Sequence, residues 1–363
     1  MQEKMQGMRD YIRVWLAGLC YYSGLVTLVR YWTRRAGPRL IILNYHRAAG
    51  NTLRQHFLYL RRHYRILHLE AALEELRSPC KKAGRDRRTL LAITFDDGYY
   101  DNYSHAFALA CELEVPVTIF LVPGYIESGA HFWWLEGQRM VKYSRVREAM
   151  IDGHIYHLDH KEERQALIRL IETRLLNASS VAQREECLST LRQALQVSDA
   201  MTENERLALP LAWEEVQAME KSNWISFGAH TMHHPVLAYL TDPAELRLEV
   251  TQCREVLEQR LGRAVRTFAY PLGKQEQIGE TVQDSVRQAG YTWAVTTLPG
   301  MNTARTDPYL LRRRNVGVNQ HWLSVAAETA GVWGFFSPLL WRVRTFFSIL
   351  KRIVLATGSC RPS

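Results

Sequence analysis

The six cysteines of this 363-residue chain (Cys20, Cys80, Cys111, Cys187, Cys253 and Cys360) lie scattered, with no C-x-x-C pair. That spacing argues against a disulfide framework or a thiolate metal knuckle, and predicts reduced thiols in a cytosolic chain. No period of 20–50 residues recurs, which argues against a solenoid. A spanning helix needs about 20 apolar residues. The uncharged stretch Val14–Val29 has 16 and contains Gly18, Ser23, Gly24 and Thr27. Arg13 and Arg30 flank it and no small-residue cleavage site follows, a poor fit to a cleaved signal peptide. The body of the chain also lacks a basic excess. Of the net charge of +9, residues 1–39 carry +5 and residues 337–363 carry +5, leaving 40–336 at −1. This argues against a nucleic-acid-binding body and places the basic charge in two tails, where it suits an anionic membrane surface.

Both tails carry apolar residues as well. Trp15, Tyr21, Tyr22, Tyr31 and Trp32 cluster in the first, as at a bilayer interface. Wound as a helix, Phe336–Val354 collects nine apolar residues on one face, with Arg342, Arg344, Lys351 and Arg352 on its flanks and back. The expectation is an N-terminal tail over 1–38, a body over 39–318 and an amphipathic basic tail over 319–363, with peripheral attachment to the cytoplasmic face of a membrane.

In the body, apolar runs alternate with helical patterns. Strands are expected at 40–45, 64–67, 90–95, 115–122, 224–228, 265–270, 292–296 and 312–316. Helices are expected at 53–63, 70–77, 102–113, 243–261 and 281–289. Such alternation predicts a parallel sheet, either closed into a barrel or open and doubly wound. Residues 131–212 interrupt it with polar, helical patterns and no convincing strand, which predicts a helical insertion capping one end of the sheet.

The chemistry concentrates at strand ends. Thr94-Phe95-Asp96-Asp97-Gly98 follows the apolar run Leu90–Ile93, and 133 residues after Asp97 comes His230-Thr231-Met232-His233-His234-Pro235. His230 and His234, four apart, are expected on one side of a helical turn, with His233 pointing elsewhere. One carboxylate, Asp96 or Asp97, completes a three-ligand metal set and the other is free to act as a general base.

Together with Phe268-Ala269-Tyr270-Pro271-Leu272-Gly273, these motifs resemble the polysaccharide deacetylase family with the NodB-homology domain, and the F-A-Y-P-x-G variant within it. The resemblance covers about 39–318 minus the insertion. It implies a distorted (β/α) barrel and a metal-dependent deacetylase that hydrolyses an acetamide or acetyl ester on a polysaccharide or glycan precursor. It assigns Asp96 as base and Asp97, His230 and His234 as ligands of Zn2+ or another divalent metal. Two family features are missing. The Arg expected two residues before Pro271 is Ala269 here, and Arg313 in Leu311-Arg312-Arg313-Arg314 is the expected replacement. The late Leu-x-His that supplies a general acid is absent, and His46, at the end of the first strand, is the expected substitute. The backbone N–H of Leu272 is the expected oxyanion donor. Phe132-Trp133-Trp134 suits the apolar face of a sugar or the packing of the cap. Two other readings remain: hydrolysis of another non-peptide C–N bond, and an inactive glycan-binding or scaffold domain.

Overall fold

In the computed structural model, which describes residues 2–78, 86 and 88–334, five-residue and longer apolar runs form the centre of a parallel sheet. Its strands are β1 (Leu40–Tyr45), β2 (Arg65–Ile66), β3 (Leu90–Phe95) and β4 (Val117–Leu121), followed, after an antiparallel hairpin β5 (Glu148–Ile151) and β6 (His154–His157), by β7 (Ile225–Ala229), β8 (Thr267–Ala269), β9 (Trp293–Val295) and β10 (Arg314–Asn315). Every residue of β1, β3 and β4 is buried, as expected where helices cover one face and side chains fill the other.

The strand order is β10-β1-β3-β4-β7-β8-β9, with β2 also on β3 and all pairs parallel. The sheet curls until its two edges share one segment. Leu311 bridges Val295 beside β9, while Arg314 and Asn315 pair with Leu43 and Asn44 of β1. The result is a curled, barrel-like (β/α) fold. The register of Tyr45 on Phe95, Phe95 on Ile119 and Leu121 on Ala229 brings the C-terminal ends of the strands to one rim, where sites of such folds assemble.

Helix boundaries follow local chemistry. Pro243–Leu261 starts at Asp242, whose carboxylate accepts the Ala244 N–H at 2.8 Å, and stops at Gly262 with φ 67°. The segment expected as one helix after the acidic pair instead begins with a π-helical turn, Asn102–Phe107, and becomes α-helical at Ala108–Leu113. Such turns are found frequently at functional sites.

The insertion contains the helices Trp133–Lys142, Lys161–Leu176 and Val181–Ala194 around its own core of Phe132, Met140, Leu167, Ile171, Leu188 and Leu195. The expectation of no strand there is corrected by the β5–β6 hairpin. Its two-residue turn, Asp152-Gly153, has φ of 55° and 76°. This Asp-Gly pair between alternating residues is a strong short-range hairpin signal.

Among the described residues, those up to Gly37 and from Gln320 to Gly334 form a unit separate from Pro38–Asn319. Its helices Gln2–Tyr22 and Leu25–Arg35 meet at Gly24, in the left-handed conformation, and pack with Trp322–Ala330 through Ala17, Val26, Val29, Leu323 and Ala327. Arg13 pairs with Glu328 within this unit. The amphipathic pattern expected over Phe336–Val354 lies outside the described residues.

Candidate active site and metal centre

At the end of β3 the chain turns sharply through Asp97 (φ 74°) and Gly98 (φ 73°). A side chain at Gly98 would bring its Cβ within 2.8 Å of Leu121, so the turn needs glycine for space as well as for φ. Two strands away, β7 delivers His230. The following residues are not helical, which corrects the expected helical turn. Thr231 (φ 64°) and His234 (φ 55°) are both left-handed, and the loop is closed by the His234 N–H donating to Thr231 Oγ1 at 2.9 Å. The imidazoles still converge, their ring centres 4.7 Å apart and their planes at 75°. A residue with no sequence signal holds this loop. Buried Glu249 accepts the His233 N–H at 2.8 Å and pairs with His233 Nδ1 at 2.6 Å, and its carbonyl accepts the Met232 N–H at 3.0 Å. His233 is thereby tied away from the other two histidines.

Asp97, His230 and His234 are all buried, and each offers a ligand atom within 4.8 Å of the others. Asp97 Oδ1 lies 3.4 Å from His230 Nε2 and 3.6 Å from His234 Nε2. Ligands at about 2.0–2.1 Å around a tetrahedral ion stand roughly 3.3–3.4 Å apart, so the spacing fits a divalent metal. The surrounding bonds fit one as well. His230 Nδ1 donates to the Ala269 carbonyl at 2.7 Å, which leaves Nε2 with its lone pair toward Asp97. His234 Nδ1 is buried with no hydrogen-bond partner among the described residues. Burial would raise the Asp97 carboxyl, but contact with His230 and the charges of His46, His234 and His230 outweigh it and hold the group well below the usual range. Burial, reinforced by His230, pushes His234 down to about 3. His230 is shifted up, burial being outweighed by Asp97 and Asp96.

Asp96 faces a different partner. Arg313, fully buried on the segment that joins the sheet edges, grips both carboxylate oxygens, with Nη1 to Oδ1 at 2.6 Å and Nη2 to Oδ2 at 2.8 Å. Its Nε donates to the Thr296 carbonyl at 2.9 Å, and Nη1 also reaches Asn44 Oδ1 at 3.1 Å and Thr94 Oγ1 at 3.3 Å. Burial raises the Asp96 carboxyl, and the charges of Arg313 and His230 bring it below the ordinary value. Ala269, standing where the family Arg was expected, contributes its carbonyl to His230 instead.

His46 is exposed just past β1, and its charge acts on both Asp97 and Asp96. Its loop is pinned by side chains that sequence patterns did not single out. Asn102 Nδ2 donates to the His46 carbonyl at 3.0 Å, and buried Asp101 takes Arg47 Nε at 2.6 Å and the Ala49 N–H at 3.1 Å. Leu272 follows β8 with φ 58°, and its N–H makes no hydrogen bond among the described residues.

The insertion reaches this rim. Trp133 Nε1 donates to the His234 carbonyl at 2.9 Å. The Trp134 ring lies 4.3 Å from the His234 imidazole, and its Nε1 donates to Tyr99 Oη at 2.7 Å. Phe132 stacks on Trp134 at 4.6 Å. These aromatics, expected to meet sugar or cap, support a candidate ligand. Trp133→Phe, which loses this donor together with part of a buried ring, is expected to weaken divalent-metal binding about tenfold, as read by calorimetric titration of the metal-free chain.

A curled parallel (β/α) fold with one Asp and two His converging at its rim, beside a second Asp held by Arg, defines a class of metal-dependent hydrolases. A family model described as Polysaccharide deacetylase matches residues 83–294, more than half of the chain, and the chain belongs to that family, whose members hydrolyse non-peptide C–N bonds. Among solved structures it is similar to the Streptococcus pyogenes deacetylase PplD in complex with acetate (17% identity, 80% of this chain and 99% of that one, TM-score 0.52). It is also similar to IcaB from Ammonifex degensii (18% identity, 81% and 98%, TM-score 0.52). At these identities the likeness establishes the fold. No curated protein sequence matches the chain.

Proposed function

We propose that the chain is a metal-dependent deacetylase that hydrolyses an acetamide, or an acetyl ester, on a polysaccharide or glycan precursor. The observation that carries this reading is the division between two adjacent carboxylates. Asp97 shares its pocket with two imidazoles, while both carboxylate oxygens of Asp96 accept from Arg313. Asp97, His230 and His234 would hold zinc or another divalent ion, which when bound would polarise the acetyl carbonyl and acidify a water.

The remaining work falls to the chain. Asp96 enters the reaction as a carboxylate, because Arg313 favours that form, and accepts the proton lost by the attacking water. Arg313 fixes the orientation of this base and keeps it from moving toward the ligand set. The Leu272 N–H donates to the oxygen on which negative charge develops, a contribution worth about 2.7–4 kcal/mol in comparable sites. His46, exposed at the rim, gives a proton to the departing amine nitrogen as the C–N bond breaks. The products are acetate and a free amine, or an alcohol if the substrate is an ester.

Acetate release from N-acetylated oligosaccharides tests the reading, run with bound metal quantified, after chelation and after metal is added back. Activity that is lost on chelation and restored by metal supports it. Cleavage of another amide without acetate release would point to a different C–N bond, and metal binding without turnover to a glycan-binding domain. In the same assay His46→Gln is expected to lower turnover by about 10²–10⁴-fold while metal content stays unchanged. Full turnover in that variant would remove His46 from the mechanism.

A further inference from the structure

Among the described residues fifteen large apolar or aromatic side chains are exposed, and ten of them fall between Met8 and Trp32. On the helix Gln2–Tyr22 they form a stripe at helical spacing: Met8, Tyr11, Ile12, Trp15, Leu19 and Tyr22. Ala17, on the opposite side of the same helix, packs in one cluster with Leu323 and Ala327 of Trp322–Ala330, and Gly18 meets Leu323 on the flank between the two sides. The exposed stripe is therefore additional to the packing that holds this unit together. It borders a groove of about 430 Å³ between Tyr11, Trp15, Leu19, Tyr22 and Leu323.

Charge is equally one-sided along the sequence. The sequence before Pro38 and after Asn319 contains eleven Lys and Arg against three acids, whereas 38–319 contains 35 against 34. Arg34 and Arg35 are exposed in the last turn of Leu25–Arg35, next to exposed Leu28 and Tyr31. Among the described residues no single helix is long and apolar enough to cross a bilayer; Asp10–Tyr22 and Leu25–Arg35 have the length and composition only taken together, and they are bent by 73° at their junction.

We infer that this terminal unit is a foot that rests in the headgroup layer of an anionic phospholipid bilayer. The stripe and groove take up the upper part of the acyl region, and the arginines pair with lipid phosphates. Tyr and Trp are favoured at that depth because each has an apolar body and a polar tip. A surface that combines an apolar stripe with excess basic charge binds in the plane of the interface. The inference is independent of the chemistry proposed for the rim, so either can fail without the other.

The test is co-sedimentation of the full chain with phosphatidylcholine vesicles, with and without phosphatidylglycerol. Binding is expected only to the anionic vesicles, to weaken as salt is raised, and to be reversed by an alkaline carbonate wash. Arg34→Gln with Arg35→Gln is expected to lower partitioning about thirty-fold, taking roughly 1 kcal/mol per basic residue. Trp15→Ser is expected to lower it about tenfold or more. Both variants sit on the surface, and an unchanged melting temperature shows that they fold. Failure to bind anionic vesicles, full binding by the variants, or retention after the carbonate wash would each overturn the inference. So would a dimer that Trp15→Ser dissociates while vesicle binding is unaffected.

Discussion

Arg313→Met is expected to destabilise the metal-free chain by about 3–5 kcal/mol and to abolish turnover. The guanidinium is fully buried and makes two short bonds to Asp96. Removing one partner of a buried ion pair leaves the other as an uncompensated charge, and that cost exceeds the net worth of the pair. Asn44, Thr94 and the Thr296 carbonyl lose their donor at the same time. Thermal melting is expected to show a drop of about 10 °C or more, from a few degrees per kcal/mol for a domain of this size. The double variant Arg313→Met with Asp96→Asn, which removes both charges, is expected to recover much of the stability and none of the activity.

The pH dependence of the same pair has a definite sign. The folded-state pKa of Asp96 lies below its ordinary value. Its contribution to stability is therefore fully present above the unfolded value of about 3.9 and is lost as pH falls through the lower folded value. The stability gap between the wild type and Arg313→Met is expected to narrow in acid. A gap that stays constant from neutral pH to below the ordinary carboxylate range would mean that charge pairing is not what Arg313 supplies.

The second large effect separates the adjacent aspartates. Asp97→Asn is expected to lower metal affinity by more than the 10–100-fold typical of losing an outer-shell partner, because a ligand and its charge are both removed. Asp96→Asn is expected to keep metal affinity within a few-fold and to lower kcat by about 10²–10⁴-fold, the range of a general base. Titration of metal into each metal-free variant, alongside single-turnover acetate release, distinguishes the two. If Asp96→Asn loses metal and Asp97→Asn keeps it, the roles are reversed.

Much of this site was legible before the structure. β1 and β3 fall at the expected residues because a sheet covered on both faces needs unbroken apolar runs, and such runs are visible in one dimension. The acidic pair and the His-Thr-Met-His-His segment could be placed on one rim because each follows a strand of an alternating pattern, and parallel strands share a C-terminal edge. Arg313 could be proposed for the missing Arg because it falls in the late strand expected at 312–316, although the strand itself is only Arg314–Asn315. The β5–β6 hairpin was less legible: its strands are four residues each, in a polar and otherwise helical region, and only Asp152-Gly153 marked it.

Other parts were decided by how distant segments meet. The sequence determined the parallel class of the fold, the residues able to bind a metal, and the apolar and basic character of the termini, all properties of local composition and spacing. Only the tertiary structure decided that His230 and His234 converge from a left-handed loop clamped by Glu249, since four-residue spacing is equally compatible with a helix. It alone brought Arg313 onto Asp96, 217 residues away, and Trp133 onto the carbonyl of His234, 101 residues away. The first contact depends on one segment joining both edges of the curled sheet, and the second on the insertion folding back over the rim. Neither arises from local backbone preference, because each exists only once the sheet has its register and curl.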